Sequence, residues 1–197
     1  MNTKKHKLKF VLVGASGTGK TTMAHILENE LKLQRCITTT TRPPREEERD
    51  GIDYYFVKSI NPADMFEHTS FGEYEYGISN AELTKGDFVI LEPKGVAYYR
   101  EHYSEPLTVI QLKRNDISID EERRARDKTA GFDEVNPDVV IQGETIEEMS
   151  NNLLSYLTGK DNFPTLDAQL HSAKMRTSHQ LFKSQKNLEK GTIYEHG

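Results

Sequence analysis

Apolar residues in this chain gather into short unbroken runs separated by longer stretches of mixed polarity. Phe10-Val11-Leu12-Val13, Phe88-Val89-Ile90-Leu91, Leu107 to Leu112 and Val139-Val140-Ile141 are continuous rather than alternating. Such runs mark strands covered on both faces, as in a parallel sheet held between layers of helices. The first strand is expected to span Lys7 to Val13. The stretch from Lys20 to about Leu33 predicts a helix, because Met23, Ile26, Leu27 and Leu31 recur at helical spacing while Glu28, Glu30 and Lys32 are left for water. A second amphipathic helix is predicted from Thr145 to Leu157, with Ile146, Met149, Leu153, Leu154 and Leu157 on one side. Residues 36 to 87 differ in texture: they are rich in Thr, Tyr, Glu and Gly and lack a long helical period, which reads as an inserted α+β lobe of about residues 36–87. Beyond residue 158, a helix would carry Leu166, Leu170, Ala173, Thr177, Leu181 and Leu188 on one face of a locally basic segment. A docked helix or a partly ordered tail over 159–197 is the expectation there.

A chain of 197 residues holds one main domain, here 1–158, with room for a small insertion. Between the first strand and the first helix stands Gly14-Ala15-Ser16-Gly17-Thr18-Gly19-Lys20-Thr21, followed by Thr22. In this pattern glycines turn backbone N–H groups inward, Lys20 reaches terminal phosphates and the Thr21 hydroxyl ligates Mg²⁺. The phosphate chain then sits on a helix N-terminus, where unpaired N–H groups and the helix dipole favour an anion. A plain strand-to-helix turn needs glycine but not a lysine aimed into its hollow. A formal net charge of −5 gives no general nucleic-acid-binding surface, and no apolar stretch reaches membrane-spanning length. The single cysteine, Cys36, fits a reducing, cytoplasmic compartment. The basic N-terminus leads into too short an apolar run for export. No ligand spacing for a protein-held zinc is present, so Mg²⁺ would arrive with ATP.

The next concentration of chemistry is Thr38-Thr39-Thr40-Thr41-Arg42-Pro43-Pro44-Arg45, followed by Glu48, Gly51, Asp53 and Tyr54. Two arginines separated by two prolines form a stiff fork suited to bidentate phosphate contacts. This run resembles the GMP-binding lobe of guanylate kinases, and similar segments follow in order: Glu67 and Phe71, Tyr74 to Ser79, Gly86 to Leu91, Phe132-Asp133 and Pro137 to Val140. The resemblance covers about residues 8 to 157. It implies a P-loop kinase fold with a parallel five-stranded sheet flanked by helices, a small acceptor-binding lobe and a short lid over about 114–128. It also implies transfer of the ATP γ-phosphate to GMP or dGMP. Arg42, Arg45, Tyr54 and Tyr76 would hold the acceptor phosphate, and Glu67 would accept from guanine N1–H and the 2-amino group. Thr38 and Ser79 supply hydroxyls near the base.

The chain departs from the family pattern in two places. Where the family has two acidic residues after the sheet strand, this chain has Ile90-Leu91-Glu92-Pro93-Lys94, leaving Glu92 alone for substrate and metal contact. The lid is short and offers Arg114, Arg123, Arg124 and Arg126, of which Arg123 and Arg126 join Lys20, Arg42 and Arg45 as the expected catalytic set. Other readings are a weakly catalytic module that binds a nucleotide or phosphorylated partner, and a kinase for another monophosphate. Nucleotides are the expected partners, with neither nucleic acid nor membrane, and the oligomeric state is open.

Overall fold

The computed structural model describes residues 8–114 and 121–159, with all their side chains except those of Glu122, Arg123 and Arg126. The expectations for Lys7 and for the 160–197 extension lie outside the described residues. The chain runs β1 (Phe10–Val13), α1 (Lys20–Glu30), β2 (Thr39–Thr40), β3 (Tyr55–Phe56), β4 (Met65–Phe71), β5 (Tyr74–Ser79), α2 (Asn80–Leu83) and β6 (Phe88–Ile90). It continues through α3 (Pro93–His102), β7 (Thr108–Lys113), α4 (Glu121–Thr129), β8 (Val139–Gln142) and α5 (Ile146–Thr158).

The central sheet has the order β6-β1-β7-β8, and every pairing is parallel. Alternate residues of β1 serve two layers, which is why its run is apolar throughout. Phe10 and Leu12 pack with Met23 and Leu27 of α1 and Met149 and Leu153 of α5. Val11 and Val13 pack on the other face with Val96 and Tyr99 of α3. Because β1 lies between β6 and β7, the strand order reverses around it, and ligands of such sheets bind at the carboxyl ends of the strands at that switch point. The phosphate-loop sequence leaves β1 there.

Two expectations need correction. Among the described residues the parallel sheet has four hydrogen-bonded strands rather than five; the fifth position is reduced to a single parallel bridge, Arg35 with Phe88. Gln34 to Cys36 run beside β6, with Asp87 N donating to Gln34 O at 2.6 Å and Cys36 N to Phe88 O at 2.8 Å. The chain then turns off toward the lobe, because Ile37 N donates to a Glu82 carboxylate oxygen at 3.0 Å instead of continuing the ladder. Helix α1 stops at Glu30 rather than near Leu33: Leu31 caps it, and Lys32 takes a left-handed φ of 56°.

The lobe between α1 and β6 is a second four-stranded sheet, order β3-β2-β5-β4, in which β4 and β5 form a hairpin. Helix α5 begins as the sequence predicts, one residue after its cap. Thr145 Oγ accepts from Glu148 N, and the Glu148 carboxylate takes Glu144 N–H at 2.8 Å, two otherwise unpaired donors satisfied together.

Candidate active site

The phosphate loop is framed by contacts that fix its glycines. A Cβ on Gly14 would lie 2.8 Å from Leu112 O and 2.9 Å from Thr18 Oγ1, so only glycine fits between β1 and β7. Gly17 and Gly19 have φ of 77° and 97°, conformations that L side chains avoid. Buried Thr18 ties the loop by donating from Oγ1 to Ala15 O at 2.8 Å. Lys20 folds along the loop: its Nζ donates to Gly14 O and to Ala15 O at 3.1 Å, and stands 5.9 Å from the Phe132 ring centroid. Ser16 is held from the far end of the chain, with its N–H and its hydroxyl each 2.9 Å from an oxygen of Asp127 on α4.

Facing the loop is the arginine fork. Arg42 Nη2 donates to both oxygens of Glu48 at 2.8 and 2.9 Å, and its guanidinium carbon lies 5.3 Å from the Tyr54 ring centroid. Burial works against the Arg42 charge, but the hydrogen bond and charge of Glu48 outweigh it and raise the pKa above its ordinary value. Arg45 contributes its backbone N–H to Glu48 at 2.8 Å and leaves its side chain half exposed. Tyr54 meets Tyr76 edge-on at 6.4 Å. Burial first, and the neighbouring Tyr76 second, push the Tyr54 phenol up to about 12, so near neutrality it remains a hydrogen-bond donor.

Both halves open on one cleft of about 440 Å³. Ser16, Gly17, Gly19, Lys20, Thr21 and Thr22 line its donor side. Arg42, Arg45, Glu48, Tyr54 and Tyr76 line the acceptor side, with Glu92 and Arg114 also on the wall. Other expected site residues are not brought into this wall. Glu67 on β4 is 2% exposed and lies beneath the start of α3, where a Cβ on Gly95 would be 3.4 Å from its Oε1. Desolvation alone raises its carboxyl to about 7. Ser79 caps α2 by accepting from Glu82 N at 3.3 Å. Thr38 is half-buried, and its carbonyl accepts from Tyr55 N at 2.9 Å. Arg123 and Arg126 fall on α4, but their side chains lie outside the described residues.

Sequence reasoning passed over Glu48 and Asp127 as site residues. Glu48 sits three residues after Arg45 inside the motif, which was the available signal; Asp127 is separated from Ser16 by 111 positions, and no local pattern joins them. For a metal, the fitting donors are the Thr21 hydroxyl and the Glu92 carboxylate on the same cleft. Among the described residues no group of three or more His, Cys, Asp or Glu side chains forms a cage. Two hard oxygen donors suit a hydrated Mg²⁺ brought in by a polyphosphate.

A phosphate loop at the switch point of a parallel sheet, facing an arginine-bearing lobe across one cleft, defines the class of P-loop nucleoside-monophosphate kinases. The family model described as guanylate kinase matches residues 6–160, and the chain belongs to that family. It is 31% identical over 177 residues to a guanylate kinase of Desulfotalea psychrophila, spanning 83% of this chain and 86% of the relative. A guanylate kinase of Alkalilimnicola ehrlichii is 31% identical over 188 residues, 87% of this chain and 90% of the relative. Among solved structures, guanylate kinase from Anaplasma phagocytophilum superposes with a TM-score of 0.57 at 25% identity, covering 79% of this chain and 86% of that one.

Proposed function

We infer that this protein is an ATP-dependent guanylate kinase, converting ATP and GMP or dGMP to ADP and GDP or dGDP. The observation that carries the reading is the single cleft on which the phosphate loop and the Arg42–Arg45 fork both open. A phosphate oxygen of the acceptor attacks the γ-phosphorus in line, the new P–O bond forms as the bond to ADP breaks, and no covalent enzyme intermediate is needed. Catalysis of this kind rests on positioning and charge stabilisation.

In this scheme Lys20 leaves its loop carbonyls for the β- and γ-phosphates, while loop N–H groups and Thr22 hold the rest of the chain. Arg42 and Arg45, already oriented by Glu48, take the acceptor phosphate with Tyr54 and Tyr76 as donors. Glu67, in its ionised form, would accept from guanine N1–H and N2–H, and Thr38 and Ser79 are the proposed hydroxyl contacts to the same acceptor. Arg123 and Arg126 bring further charge from α4. Thr21 and Glu92 would hold a Mg²⁺ ion, which would supply charge neutralisation to the bound phosphate chain. The working site belongs in a reducing, cytoplasmic setting, consistent with the lone buried Cys36.

Phosphorus NMR tests the reading. With ATP, GMP and MgCl₂, the protein is expected to generate the GDP β-phosphate resonance together with ADP, and Lys20→Met is expected to lose at least about 10²-fold in rate. ATP consumption without GDP would contradict the reaction assigned.

A further inference from the structure

The cations on the cleft wall are not equivalent. Lys20 is held by Gly14 O and Ala15 O, Arg42 by both oxygens of Glu48, and Arg45 lies 3.8 Å from the same carboxylate. Arg114 lines the same cleft, yet its buried Nε has no hydrogen-bond partner among the described residues. A buried guanidinium donor left unpaired is costly, and such groups normally have a partner. The cleft it faces takes a polyphosphate. Arg114 also differs in its support: it follows directly on β7, whose Gln111 is in register with Val13 of β1 and whose Leu112 is packed against Gly14 at the root of the loop. It is therefore fixed by the sheet, at the carboxyl edge where the phosphates lie.

We propose that Arg114 is a catalytic residue of this enzyme, its guanidinium binding oxygens of the ATP phosphate chain and stabilising the charge that develops as the γ-phosphoryl group leaves ADP. The proposal rests on the kinase reading. Arg114 supplies positive charge and a planar pair of donors. An arginine on a sheet edge is preorganised, which gives this chain a phosphoryl-stabilising group independent of the arginines on its short α4. Planarity matters as much as charge, since an ammonium at the same place cannot present the fork.

The test compares wild type with Arg114→Ala and Arg114→Lys. In steady state with GMP, kcat is expected to fall on the order of 10²–10³-fold in Arg114→Ala, with KM for GMP little changed. Arg114→Lys, which keeps charge and most of the bulk, is expected to recover only a minor part. Calorimetry with Mg²⁺ and AMP-PNP, a non-hydrolysable ATP analogue, provides a second readout that needs no turnover: affinity in Arg114→Ala is expected to drop about 10-fold. A wild type inactive on GMP would defeat the kinase reading, and the calorimetric comparison would then still decide whether Arg114 binds the phosphates. Equal AMP-PNP affinity in wild type and Arg114→Ala would overturn the proposal, as would kcat within about 3-fold of wild type in an active enzyme.

Discussion

Glu67 carries a carboxyl group in surroundings that oppose its charge. The unfolded chain ionises it near 4.5 and the folded protein near 7, through desolvation. Between those values the unfolded state holds fewer protons, so stability falls as pH rises from about 4.5 to 7 and levels off above. Glu67→Gln removes that loss. Its stability relative to wild type is expected to grow by up to about 3 kcal/mol between about pH 4.5 and pH 8 in denaturant unfolding; a difference independent of pH would refute the assignment. With Glu67 as the proposed acceptor for guanine, GMP affinity is expected to rise with pH through about 7, and the Gln variant is expected to lose that dependence along with its preference for guanine. The resemblance to guanylate kinases pointed to Glu67, Arg42 and Tyr54, because it carries residue type and order along the chain. It gave no sign that Glu67 would be shut beneath α3 or that Arg42 would be held by Glu48, since burial and pairing depend on how distant segments meet.

At the scale of elements, the junction between the phosphate loop and α1 is conformationally constrained. Gly19 forms the α1 N-cap with a φ of 97°, and a Cβ there would collide with Ile146 Cδ1 at the start of α5. Gly19→Ala is expected to cost about 1–2 kcal/mol, from left-handed strain, because the Ile146 Cδ1 tip can swing aside from the added methyl. It should also weaken Mg-ATP binding, because the same backbone presents the phosphate-binding N–H groups. Equilibrium unfolding and calorimetry check both effects, and a variant within about 0.5 kcal/mol of wild type would contradict the account. Helices α1 and α5 and strands β1, β6, β7 and β8 were legible in sequence because each has its own apolar period or run. The two-residue strands β2 and β3 are too short to leave a pattern, and they exist through pairing with β5 and with each other. The missing fifth strand has the same origin: the path of Ile37 is decided by Glu82, 45 positions away.

Over the whole molecule, the central sheet carries the phosphate loop and the smaller second sheet carries the arginine fork, the two joined through a shared apolar core that includes Ile78 and Leu83, with Phe66 packed against it. Glu82, 6% exposed, binds the crossing on both sides: its carboxylate takes Ile37 N–H where the chain enters the lobe, and the Tyr55 hydroxyl of β3 at 3.4 Å. That arrangement keeps the phosphate loop and the arginine fork on one cleft, as the proposed two-substrate transfer requires. The order of motifs along the chain already implied this division, whereas the clamp at the crossing depends on tertiary contacts alone. The central claim is that the acceptor held opposite the phosphate loop is a guanine monophosphate. Its most direct measurement is kcat/KM for ADP formation from Mg-ATP with GMP, dGMP, AMP, CMP and UMP in turn. GMP or dGMP is expected to exceed every other acceptor by at least about 10²-fold, the scale at which an unpaired buried acceptor penalises the wrong base. Equal rates across the five, or a clear preference for AMP, CMP or UMP, would contradict it.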